Sequence, residues 1–318
     1  MRLKQALDLI RAAVTAAALF LAGGVVPVLG APAMLCAPAP LLIYGLGTAR
    51  SWPRIAAASA ITLALVVLVA GPVQGLGFAL SLGLGTILIA AMLRRQWRFE
   101  WIVVCAGAGM LTAATVALVV WAGSPAALAR HLHDAIAVAM SNSAGLYEKL
   151  GISKAESAEI SDQVLAVTAQ MAPALGAMVA GLTVLLNLGL VARWLGKEKL
   201  GYQLFGALVT WRTPEWLIWL LLASGFGMFI PLAAVRVAAA NGFVVVAAIY
   251  FCQGLAIMAY YLQMLAMPRI VRGTVYLIAL LQPLLAALVC LAGVFDLWID
   301  FRRLKPPSQA AGSIDDFF

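Results

Sequence analysis

Four amides stand inside or at the edge of long apolar runs of this sequence: Asn187, Gln253, Gln263 and Gln282. Each carries N–H donors and a carbonyl acceptor that lipid cannot satisfy, so each needs a partner in protein or ligand. Two chemistries follow. The amides can bind helices to one another, or they can line a polar pocket between the C-terminal helices for a small, uncharged solute. Gln282-Pro283 adds a backbone carbonyl that the proline leaves unpaired. A second group sits at helix ends. Thr213-Pro214-Glu215-Trp216 reads as an N-cap Thr, Pro at N1, an acid in the first turn and an interfacial Trp. Asp296-Leu-Trp298-Ile-Asp300-Phe301-Arg302-Arg303 sets two carboxylates one turn apart, with Asp300 able to pair with Arg303. Glu215, Trp216, Asp296, Trp298, Asp300 and Arg302 therefore make a candidate partner-docking or helix-end site, against the plainer reading of a solvated, Trp-anchored terminus.

Chemistry of other kinds is missing from the pattern. No Asp, Glu, Lys, Arg or His falls mid-span, where ion and proton carriers place such groups. There is no Gly-rich phosphate loop, no H-E-x-x-H, and no Gly-x-Ser-x-Gly with a plausible His partner. His131 and His133 point about 200° apart on a helix and cannot share a metal there. The four cysteines fall in four different spans and read as small apolar residues. No catalytic, cofactor-binding or metal-ligating residue is expected.

The elements that must position these residues are transmembrane helices. Hydrophobic residues make up 64% of the 318 and charged residues 11%, less than half the share of about 25% in a soluble domain. A span needs roughly 20 apolar residues. Nine runs qualify: 12–30, 33–49, 55–70, 75–93, 101–122, 171–192, 215–235, 243–267 and 273–295. The fold class is an all-α, polytopic transmembrane helical bundle of nine spans, or eight. The second or third run is short enough to be re-entrant. Lys and Arg orient it. With the N-terminus inside and nine alternating spans, 14 of the 21 fall on the cytoplasmic side. Arg302, Arg303 and Lys305 disagree: nine spans put them outside, eight inside. The net charge of +8 then faces anionic lipid and gives no reason to expect nucleic acid.

Four regions follow: a five-span group over 1–123, an amphipathic outer-face insertion over 124–170, a four-span group over 171–301, and a disordered tail over 302–318. In the insertion, Leu128, Leu132, Ile136 and Met140 share a helical face. Ser153-Lys-Ala-Glu156 is a capping box that starts a helix expected to run unbroken into the sixth span, with a kink at Pro173.

Four features occur in order: a Pro-rich second span, Pro214-Glu-Trp216, Phe251-Cys-Gln253-Gly254-Leu-Ala-Ile257, and Gly293-Val-Phe-Asp296-Leu-Trp298-Ile-Asp300-Phe301-Arg302. In these the chain resembles the YybS-like family of bacterial polytopic membrane proteins of unknown function. At the level of fold that family is distantly similar to the substrate-binding subunits of energy-coupling-factor transporters and to the rod-shape protein MreD. The resemblance implies a bacterial inner-membrane protein and brings no activity by itself; with no nucleophile–base or acid pair in the sequence, the chain is expected not to be an enzyme. Its expected role is a small-solute-binding, transport-type subunit lacking its own ATPase; the alternative is a scaffold for cell-envelope or division partners. The partners implied are the lipid bilayer and separate membrane, ATPase or envelope-assembly proteins.

Overall fold

The computed structural model describes residues 2–26, 29–47, 52–124, 126–131, 133–134, 137–138, 154–201, 204 and 211–303. Among these residues all regular structure is helical, as hydrocarbon demands of backbone groups that have no water to bond. The chain forms two compact units, Met1–Phe205 and Gly206–Phe318.

The first unit holds α1 (Arg2–Val25), α2 (Gly30–Leu35), α3 (Pro38–Gly47), α4 (Trp52–Ala70), α5 (Pro72–Phe78), α6 (Leu84–Arg94), α7 (Phe99–Ala122) and α8 (Lys154–Leu200). Its apolar core includes Phe20, Leu41, Ile55, Phe78, Ile102 and Leu188. The glycine-dense fourth run is one deformable segment: a π-helical stretch, Ala79–Gly83, joins α5 to α6. α2 and α3 separate where Pro38 cannot donate a hydrogen bond. α8 keeps helical dihedrals through Pro173 and leaves them only at Gly196, φ 63°. Its 34-residue apolar part, Gln163–Gly196, is about 51 Å long, so it overruns a hydrocarbon core of about 30 Å.

The second unit holds α9 (Leu217–Gly227), α10 (Ala233–Met264), α11 (Arg269–Leu281) and α12 (Pro283–Ile299). α9 runs antiparallel to α10: Thr213 meets Gln253 at one end and Gly227 meets Ala239 at the other. α12 runs along α10 in the same direction, with Cys290 on Ala247, Gly293 on Tyr250 and Asp296 on Gln253. Two glycines permit that approach. A Cβ on Gly254 would overlap the Val289 carbonyl, and one on Gly293 would overlap the Tyr250 carbonyl.

Among the described residues, seven helices are long and apolar enough to cross a membrane, and up to eight if the bent α11–α12 pair is one span. The expected nine runs differ in two places. The seventh is an 11-residue helix followed by a turn. Pro231 has no N–H to offer the Gly227 carbonyl, which accepts from the Ile230 amide instead and closes the helix. The ninth is broken at Gln282-Pro283 and bends by 101°. The short second and third runs are both of spanning length. Of the insertion over 124–170, residues 125, 132, 135–136 and 139–153 lie outside the described residues; the described part of 126–138 is helical, and 154–170 is the start of α8. Of the tail, only Arg302 and Arg303 are described.

Candidate functional site

The polar residues of the second unit converge where the start of α9, the middle of α10 and the end of α12 meet. Gln253 is fully buried on α10. Its Oε1 accepts from the Thr213 amide at 2.9 Å and from the Thr213 hydroxyl. Its Nε2 donates to Asp296 Oδ2 at 3.1 Å. Thr213 therefore bonds across to α10, where the sequence pointed to a cap on its own helix.

Asp296 is also fully buried, and both carboxylate oxygens are occupied. Oδ1 accepts from the Phe301 amide at 3.0 Å. Oδ2 accepts from Arg302 Nη2 at 2.7 Å and lies 3.9 Å from Arg212 Nε. Arg302 Nη1 donates to the Trp211 carbonyl at 3.0 Å. Asp300 pairs with Arg212, 88 positions earlier, where spacing alone pointed to Arg303. Local backbone makes this possible. Asp300 adopts left-handed dihedrals, φ 47°, a conformation an Asp tolerates better than most residues. The chain folds back there, so Arg302 returns to Asp296 on the preceding turn.

The cluster has two carboxylates and two guanidiniums, so its formal charges cancel. Both side chains of the Asp296–Arg302 pair are 0% exposed. Burying such a pair gains little net stability, but removing one member strands the other and costs about 3–5 kcal/mol. The arrangement works as a structural latch, its bonds tying the start of α9, the middle of α10 and the end of α12 together. Tyr261 adds a bond from its hydroxyl to the Phe301 carbonyl, 2.8 Å, which ties the last turn of α10 to the same place.

The four amides fall in two units, Asn187 in the first and Gln253, Gln263 and Gln282 in the second. Asn187 belongs to the first unit, where Nδ2 donates to the Leu35 and Thr183 carbonyls at 2.7 and 2.6 Å. The α2–α3 break exposes the Leu35 carbonyl, because Ala39 donates to Cys36 instead. Gln263 and Gln282 are exposed. Of the helix-end residues, Asp296, Asp300 and Arg302 come together, whereas Glu215, Trp216 and Trp298 are exposed. The cysteines are free, and Cys252 is exposed instead of buried. Sequence reasoning missed Arg212 and the Trp211 carbonyl. The signal for Arg212 was a cation directly before Thr213-Pro214 with two acids near the chain's last apolar run.

No curated protein and no solved structure matches this chain. A family model described as "Predicted membrane protein (DUF2232)" matches residues 14–297, nearly the whole sequence, and the chain belongs to that family of membrane proteins.

Proposed function

We propose that this chain is a non-enzymatic scaffold of the bacterial inner membrane, acting by holding other membrane proteins in place. One observation carries the reading: the buried amides Asn187 and Gln253 are committed to bonds within the protein. Both serve as helix glue. A solute pocket built on Gln253 would have to break those bonds. The fold-level likeness to the rod-shape protein MreD, implied by the sequence resemblance, agrees with a scaffold, as an analogy that carries no activity by itself.

The start of α9 and the end of α12 share one cluster, so they belong to one face of the membrane. That supports an even number of crossings between residues 213 and 300. α9 with its following turn and α10 supply two, and α11–α12 enters and leaves by the same face. Eight crossings then place the N- and C-termini together in the cytoplasm. Arg302, Arg303 and Lys305 join the cytoplasmic cations, leaving only Arg130, Lys149, Lys154 and Arg236 outside, which the positive-inside rule favours.

A second reading has its own observation. Asn187 Oδ1 is buried without a hydrogen-bond partner among the described residues, an acceptor that a small solute would satisfy in a transport-type subunit. Purification from native membranes in mild detergent, with mass spectrometry of what travels along, separates the two. Envelope or division proteins without a small molecule support the scaffold. A stoichiometric solute or an ATPase subunit refutes it.

A further inference from the structure

Arginines gather at one end of the first unit. The Arg94 guanidinium, on the last turn of α6, stands 4.9 Å from the centroid of the Trp52 ring at the start of α4. Arg54 follows on the first turn of α4, Arg95 ends α6 and Arg98 precedes α7. Arg54 and Arg94 are half-buried, Arg95 and Arg98 exposed. The one acid between residues 52 and 101 is Glu100. It bonds Arg98 at 3.0 Å, and its other oxygen has no hydrogen-bond partner among the described residues. Arg54, Arg94 and Arg95 thus have no carboxylate partner among the described residues.

The helix end does not occupy them either. Cations near a helix C-terminus often serve its last carbonyls. Here the backbone does so: Gln96 turns left-handed, φ 55°, and the Met92 and Leu93 carbonyls accept from the Trp97 and Gln96 amides at 3.2 and 3.1 Å. A guanidinium held at an aromatic ring keeps N–H groups for a further acceptor. Depth selects that acceptor. Trp52, Trp97 and Trp101 are exposed around the cluster, and Trp in a spanning protein marks the headgroup level. Phospholipid phosphates lie at that level, and a guanidinium fork matches two phosphate oxygens at once.

We infer that this cluster binds the phosphate of an anionic phospholipid, with Arg94 as the main donor, Trp52 orienting it, and Arg54 and Arg95 adding charge. Three uncompensated cations favour an anionic headgroup over a zwitterionic one, whose own ammonium they repel. The site differs from the general attraction of basic loops to acidic lipid, because it rests on one guanidinium held at one ring. It goes beyond the scaffold reading and holds for either face of the membrane.

The test uses the full chain purified in mild detergent. Native mass spectrometry, with phosphatidylglycerol and phosphatidylcholine added in equal amounts, reads how much of each stays bound. Phosphatidylglycerol should be retained selectively. Arg94→Gln should lower its retention about fivefold. Trp52→Leu should lower it roughly twofold, because the charge stays while its platform goes. Arg236→Gln, which removes the same charge from an exposed position in the other unit, should change nothing. Thermal unfolding like that of the unaltered chain shows that each variant is folded; Arg95→Gln, at an exposed position, should also lower retention and replaces Arg94→Gln if that variant unfolds. Equal retention of the two lipids, or an equal loss in Arg94→Gln and Arg236→Gln, would overturn the site. Release of phosphatidylglycerol by millimolar inorganic phosphate would mark a site for soluble phosphate and overturn the lipid assignment.

Discussion

Gln253 is bonded to two neighbours at once, so its loss has a definite sign. Gln253→Leu leaves the Thr213 amide and hydroxyl without their acceptor and Asp296 without one of its donors. Each buried group so stranded costs about 1–3 kcal/mol. Thermal unfolding in detergent should register a clear loss of stability; an unchanged transition would mean the amide is idle in the fold. Arg302→Met should cost more, about 3–5 kcal/mol, because it strands the buried Asp296 carboxylate. The double change Asp296→Leu, Arg302→Met should recover much of that loss. Strict additivity of the single losses would contradict the direct pair at 2.7 Å. Asn187→Leu should cost about 1–2 kcal/mol by leaving the Leu35 carbonyl bare.

Among the helices, α10 and α12 depend on two absent side chains. Gly254→Ala and Gly293→Ala each drive a methyl into a facing backbone carbonyl, which cannot move aside as a flexible side chain would. Both should fold poorly. Gly273→Ala on α11 meets nothing within 4 Å and should be neutral or gain up to about 1 kcal/mol in helix propensity. Expression and unfolding of the three side by side tell the packing argument from a general intolerance of alanine. These elements also mark what was legible in the sequence. Apolar length located nearly every helix, and the Gln282-Pro283 break was visible because Pro cannot donate. Its angle was not, since no local pattern encodes a direction. Gln253 was visible as a polar residue in an apolar run, and Asp296 as an acid at the end of one. Their partnership was not, because Gln253 and Asp296 are 43 positions apart and only the folded chain brings them together.

The latch also constrains the topology of the entire chain. An ion pair that joins the start of α9 to the end of α12 cannot have its two halves on opposite faces of a bilayer. In the eight-crossing topology proposed above, the cations at Arg302 and Arg303, which nine spans put outside, satisfy the charge rule. The direct measurement is the sidedness of position 303. Single cysteines at Gln96, Pro231 and Arg303, in a chain without its native four, would be labelled in intact cells with a membrane-impermeant maleimide. Arg303→Cys should be protected like Gln96→Cys and react only after permeabilisation, while Pro231→Cys reacts at once. Labelling of Arg303→Cys in intact cells, with Gln96→Cys protected, would refute the eight-crossing topology and the cytoplasmic C-terminus.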